Sequence, residues 1–80
     1  MNIDYYPHAL EQLAQRELEK QVVEEALLKP DEIVEAKFGR KAVHKHAGKK
    51  VLRVIFEEKN NVYMVVTVYY LKANRVKGLK

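Results

Sequence analysis

The strongest constraint in this chain is a change of periodicity at Lys29-Pro30-Asp31. Ahead of it, apolar residues recur at three- and four-residue steps. Beyond it, β-branched and aromatic residues come in short runs divided by turn signals. A chain of 80 residues has room for one domain, spanning 1–80, and one hydrophobic core. Both textures must share that core, so the expected fold class is α+β.

Leu10, Leu13, Ala14 and Leu18 form the stripe of an amphipathic helix from Pro7 to Leu18. Pro7 suits its first turn, where a missing N–H costs nothing. Val22, Val23, Ala26 and Leu27 mark a second helix from Glu19 to Lys29. It stops there because the residue before a proline is pushed out of the α region. The connection between them is very short, which predicts an N-terminal two-helix hairpin. After Pro30, signals at Gly39, Gly48 and Asn60-Asn61 separate four runs, placing strands near 32–38, 41–47, 50–58 and 61–71. Such short connections join antiparallel neighbours, so the hairpin is expected to pack on a four-stranded antiparallel β-meander. On the last strand, alternation assigns Val62, Met64, Val66, Val68 and Tyr70 to the core face and Tyr63, Val65, Thr67 and Tyr69 to the other. A two-residue turn at Asn60-Asn61 would pair Lys59 with Val62 and set Arg53 and Thr67 on opposite faces. A loop one residue longer would unite them, and the sequence leaves both registers open. Residues 73–80 read as a frayed basic tail.

Charge divides a few residues beyond the change of texture, after Ala36. Residues 1–36 hold nine acidic and three basic side chains, a net of −6; residues 37–80 hold two and twelve, a net of +10. Between Lys37 and Phe56 there is no acid, yet Lys37, Arg40, Lys41, Lys45, Lys49, Lys50 and Arg53 all fall there. That density exceeds what is needed to keep a strand edge soluble. It predicts a surface that attracts phosphates with a steep salt dependence, or an acidic protein segment.

Several classes of chemistry are excluded. Without cysteine there is no disulfide, thiolate nucleophile or Cys-ligated zinc. No run approaches the roughly 18 apolar residues that span a bilayer. The segment Met1 to Pro7 lacks the basic and apolar regions of a signal peptide. A cytoplasmic protein without a membrane segment is therefore expected. There is no phosphate-cradling glycine loop, H-E-x-x-H or nucleophile elbow. His44 and His46 share one side of their strand, but two ligands are fewer than zinc takes, so neither metal nor cofactor is expected. What remains is a sparse polar set: His8, Arg16, Arg53, Thr67 and Tyr69. An imidazole such as that of His8 titrates near neutrality and suits general acid–base work. Arg16 lies eight residues on, about 80° around the helix and about 12 Å along it.

Pro7-His8-Ala9-Leu10-Glu11, Arg16, Lys29-Pro30-Asp31-Glu32-Ile33, the basic hairpin and Val65-Val66-Thr67-Val68-Tyr69 follow in that order from about Ile3 to Arg75. In that order they resemble a family of short domains of unknown function grouped with the RelE/ParE/BrnT-like toxins of toxin–antitoxin systems. That group belongs to the wider barnase–EndoU–colicin–RelE ribonuclease fold. The resemblance implies a metal-independent endoribonuclease toxin that activates a ribose 2′-hydroxyl against the adjacent phosphate. Its partners would be RNA, including ribosome-associated mRNA, and an acidic antitoxin protein. On that pattern His8 serves as general acid or base, and Arg16 or Arg53 stabilises the phosphorane charge. Thr67 or Tyr69 positions the phosphate, while Lys37, Arg40, Lys41, Lys45, Lys49 and Lys50 hold the RNA backbone. Where related sequences show an arginine four residues after the histidine, this chain has Gln12. A different class of function is a non-catalytic basic module that binds an acidic antitoxin or nucleic acid, and ParE-like relatives act instead on DNA gyrase.

Overall fold

The computed structural model describes residues 2–72, and the tail expected at 73–80 lies outside them. Its elements are β1 (Asn2–Tyr5), α1 (Pro7–Gln15), α2 (Lys20–Leu28), β2 (Glu32–Glu35), a 3-10 turn at Lys37–Gly39, β3 (Lys41–Ala47), β4 (Lys50–Lys59) and β5 (Val62–Lys72). The α+β class and the presence of two helices agree with expectation; the N-terminal helix hairpin and the four-stranded sheet do not, since a strand precedes the helices and each helix packs on different strands. The sheet has five strands in the order β1-β5-β4-β3-β2. The added strand, β1, pairs in parallel with β5, from Asn2 opposite Val62 to Tyr5 opposite Val65. The domain therefore starts with a strand, and the sheet is mixed rather than a purely antiparallel meander. Everything from α1 to β4 serves as the long crossover that parallel pairing needs. Only β2 to β5 form the expected antiparallel run.

Both helices pack on one face of this sheet, α1 against β5 and α2 against β3 and β4. Pro7 opens α1 at its first helical position. The helix stops at Gln15, short of the expected Leu18, because the chain turns left-handed at Glu17, φ 53°. The Leu18 N–H then donates to the Leu13 carbonyl at 2.9 Å and the Glu17 N–H to Ala14 at 3.3 Å, a Schellman closure. This returns Leu18 to the core. Lys29 caps α2, and its carbonyl accepts the Lys45 ammonium at 2.8 Å, a cation placed where the helix dipole favours one.

The helix-side core joins Ala9, Leu13, Val23, Ala26 and Leu27 to Val43, Leu52, Val54, Phe56, Val65 and Val68 of the sheet. Burying a side chain of Leu or Val size contributes about 1.5–3 kcal/mol. On α1 the buried pair is Ala9 and Leu13, whereas Leu10 is half-exposed.

The last hairpin combines the two registers that the sequence left open. Asn60 and Asn61 both adopt positive φ, 49° and 64°, in a two-residue turn that pairs Lys59 with Val62. Positive φ at both central positions matches the twist of the flanking strands. Farther along, Phe56 faces Val65 while Ile55 faces Thr67, so Val66 is an extra residue on β5. This β-bulge reverses the alternation. Before it, Tyr63 and Val65 face the helices; after it, Val68 and Tyr70 do. The expected core face of Val62, Met64, Val66, Val68 and Tyr70 therefore holds only beyond the bulge.

Candidate nucleic-acid interface

The bulge also sets the register of the face turned away from the helices. Glu32 lies opposite His44, His44 opposite Arg53, and Arg53 opposite Tyr69. Directly opposed residues share a face, so these four form one row across β2, β3, β4 and β5. His44 is buried at 3% exposure. Its Nε2 meets Arg53 Nη1 at 2.9 Å, while its Nδ1 stands 4.0 Å from Glu32 Oε1. A guanidinium only donates, so Nε2 is the acceptor and the proton of the neutral ring sits on Nδ1. Burial, reinforced by the Arg53 charge and opposed by Glu32, lowers the His44 pKa and keeps the ring neutral. The imidazole is thus a neutral support that aims Arg53.

In front of this row lies a groove of about 340 Å³, lined by Ala36, Lys37, Phe38, Arg40, Arg53, Ile55 and Tyr69. Three cations line it from two segments: Lys37 and Arg40 from the 3-10 turn and its cap, and Arg53 from β4. The turn is closed by Arg40 N–H to Lys37 carbonyl at 3.2 Å and braced by Ala36 N–H to Arg40 carbonyl at 2.8 Å. Arg40 Nε donates to Glu57 Oε2 at 2.8 Å, and the Tyr6 hydroxyl donates to Glu57 Oε1 at 2.7 Å. These bonds, that from Arg40 first, hold the Glu57 pKa below the usual carboxylate value. They leave the terminal nitrogens of Arg40 without hydrogen bonds among the described residues. The groove is therefore cationic, with the Tyr69 and Phe38 rings in its lining.

Lys37, Arg40, Arg53 and Tyr69 are thus brought together. The rest of the basic block is divided. On β3, Lys41 and Lys45 alternate with Val43 on the helix side, where Lys41 lines a hollow with Phe56 and Lys45 another with Val22 and Ala26. Lys50 shares the parity of Leu52 and stands 5.5 Å from the Tyr70 ring centre, and Lys49 occupies the β3–β4 turn. His8 and Arg16 are exposed at the two ends of α1, without hydrogen bonds or ion pairs from their side chains among the described residues. Thr67 has a different engagement: its hydroxyl donates to Gln12 Oε1 at 2.6 Å, and the same oxygen accepts the Val68 N–H at 2.7 Å. β1 covers β5 only as far as Val65, so Gln12 takes over at the uncovered edge. The residue that looked like a missing cation is the acceptor that fastens α1 to the sheet.

Sequence reasoning did not place His44, Glu32, Phe38, Glu57 or Tyr6 in a site. His44 was visible as one of a histidine pair and Phe38 as an aromatic beside a turn glycine. Nothing local marked Glu57, which meets Arg40 only through tertiary structure, or Tyr6, which donates to Glu57.

The chain matches the family described as Domain of unknown function (DUF4258) over residues 5–70 and belongs to it. No curated protein and no solved structure matches it.

Proposed function

We propose that this protein is a toxin-type domain of the cytoplasm that binds RNA on its open sheet face and cuts it without a metal ion. The observation that carries the reading is the convergence of Lys37, Arg40 and Arg53 with the Tyr69 hydroxyl in one groove. Three cations from two segments around a concave surface are suited to a phosphodiester, whose charge grows in the transition state of 2′-hydroxyl attack. Arg53, held from behind by His44, is placed to meet that charge, and Tyr69 to orient the phosphate. His8, exposed at the start of α1, does not line the groove and is assigned the proton transfers by resemblance to the toxin group alone. Incubation with mixed-sequence RNA in EDTA tests this. New ends bearing 2′,3′-cyclic phosphate should appear and should fall at least tenfold in Arg53→Ala and in His8→Ala. Cleavage undiminished in His8→Ala would remove that residue from the mechanism.

A second reading, a non-catalytic module for RNA or an acidic antitoxin, draws on the engagement of Thr67 by Gln12, which takes one hydroxyl out of phosphate positioning. It predicts salt-sensitive binding with no new RNA ends. Inhibition of gyrase supercoiling with RNA left intact would instead favour the ParE-like action.

A further inference from the structure

Among the described residues, Phe38 is the most exposed of the large apolar side chains, at 86%. Its backbone is left-handed, φ 63° and ψ 34°, a conformation that β-carbon sterics disfavour. Gly39 follows with φ 72°. The chain thus spends backbone strain to hold a ring out in water, between Lys37 and Arg40, at the lip of the cationic groove. Arg40 Cζ lies 5.9 Å from the ring centre, within cation–π range. Strain of this kind persists where the surroundings over-determine it and is concentrated at ligand sites. Burial in this chain's own core does not account for the ring, since almost all of its surface is free.

We propose that Phe38 is a stacking platform for an unpaired nucleobase, with Lys37, Arg40 and Arg53 holding the phosphates that flank that base. The ligand class is therefore single-stranded RNA, which can splay a base out of its stack, rather than duplex. An aromatic face takes any base, so this contact supplies affinity with little sequence preference. The groove volume falls at the lower end of the roughly 300–1,000 Å³ of small-ligand pockets, room for one nucleotide unit and not a helix. The inference rests on the RNA reading above and names the state of the RNA that it requires.

The test uses the full chain and a short 2′-O-methyl RNA, which binds but lacks the nucleophile and so separates binding from cleavage. Inorganic polyphosphate serves as a probe with charge but no bases. Phe38→Ala should lose about tenfold or more in affinity for the single strand, the scale of one base–aromatic stack, and little for polyphosphate. The chain contains no tryptophan, so Phe38→Trp introduces a single indole. It should retain affinity, and its fluorescence should be quenched when RNA binds. If Phe38→Ala binds the single strand as the wild type does while Arg53→Ala binds it weakly, the platform is refuted and the groove reading stands. If neither substitution alters binding, or the wild type binds neither probe, both are overturned. Equal affinity for a duplex of the same sequence would also refute the platform.

Discussion

On the helix-covered side of the sheet, Val43, Leu52, Val54, Val65 and Val68 are at most 1% exposed and belong to one hydrophobic cluster with residues of α1, α2 and the neighbouring strands. On the open side, the same strands carry Glu32, His44, Arg53 and Tyr69. Three of their atoms, Glu32 Oε2, His44 Nδ1 and Arg53 Nε, are buried without a hydrogen-bond partner among the described residues. An unsatisfied buried polar group costs about 1–3 kcal/mol, so the open side sacrifices stability that the helix side supplies. The helix side carries the hydrophobic cluster together with Lys41, Lys45 and Lys50, and the other side carries the buried polar row together with buried Ala42 and Val51.

The largest test of that division is a truncation on each side. Leu52→Ala should destabilise by about 2–5 kcal/mol in urea unfolding, through lost burial and a residual cavity. Ile55→Ala, half-buried on the open side, should cost less than half as much. Equal losses would mean that the open side is also core.

Next comes the link between the layers. Gln12→Ala leaves the Val68 N–H and the Thr67 hydroxyl without their acceptor and should cost about 1–3 kcal/mol by the same measurement. Gln12→Arg should cost a similar amount, because a guanidinium cannot accept either bond. An unchanged stability in both would show that Gln12 does not fasten α1 to the sheet.

The buried imidazole gives the comparison a pH dependence. The folded-state pKa of His44 lies below its ordinary 6.5. Below about pH 6.5 the unfolded chain therefore binds more protons than the folded one, and stability falls as pH falls toward the folded value. Above that window the contribution is complete. Asp31 and Glu57, lowered from 3.8 and 4.5, add their own losses only at more acid pH. The urea midpoint should drop between pH 7.5 and 5.5 in the wild type and drop less in His44→Asn. An equal drop in both would detach the effect from His44.

The smallest effect concerns α1 alone. Glu17→Gly should stabilise by about 1 kcal/mol by relieving its left-handed backbone, with RNA affinity unchanged. A loss of affinity would bring the end of α1 into the binding surface.

Much of the framework was legible in the sequence. The helical stripes, Pro30 and the turn signals located both helices and four of the strands to within a few residues, because period and punctuation are local properties. β1 was not legible. Four residues at the N-terminus carry too little pattern, and their partner lies some sixty positions away. The basic block was visible as composition, but strand parity sends Lys41, Lys45 and Lys50 to the helix side and Arg53 to the other.

The sequence by itself thus determined the α+β class, the division of charge at its middle and the absence of cysteine, and it singled out Arg53 and Tyr69 as candidates. Only the tertiary structure decided that these two share a face, since that depends on one extra residue at Val66. It also decided that Gln12 serves the sheet edge, that Phe38 lines the groove, and that His44 and Glu57 hold its two arginines. The physical reason is the same in each case. Local propensity sets which elements form, but register, bulges and edge capping are settled by hydrogen bonds between residues far apart in the chain, and those bonds determine which side chains meet.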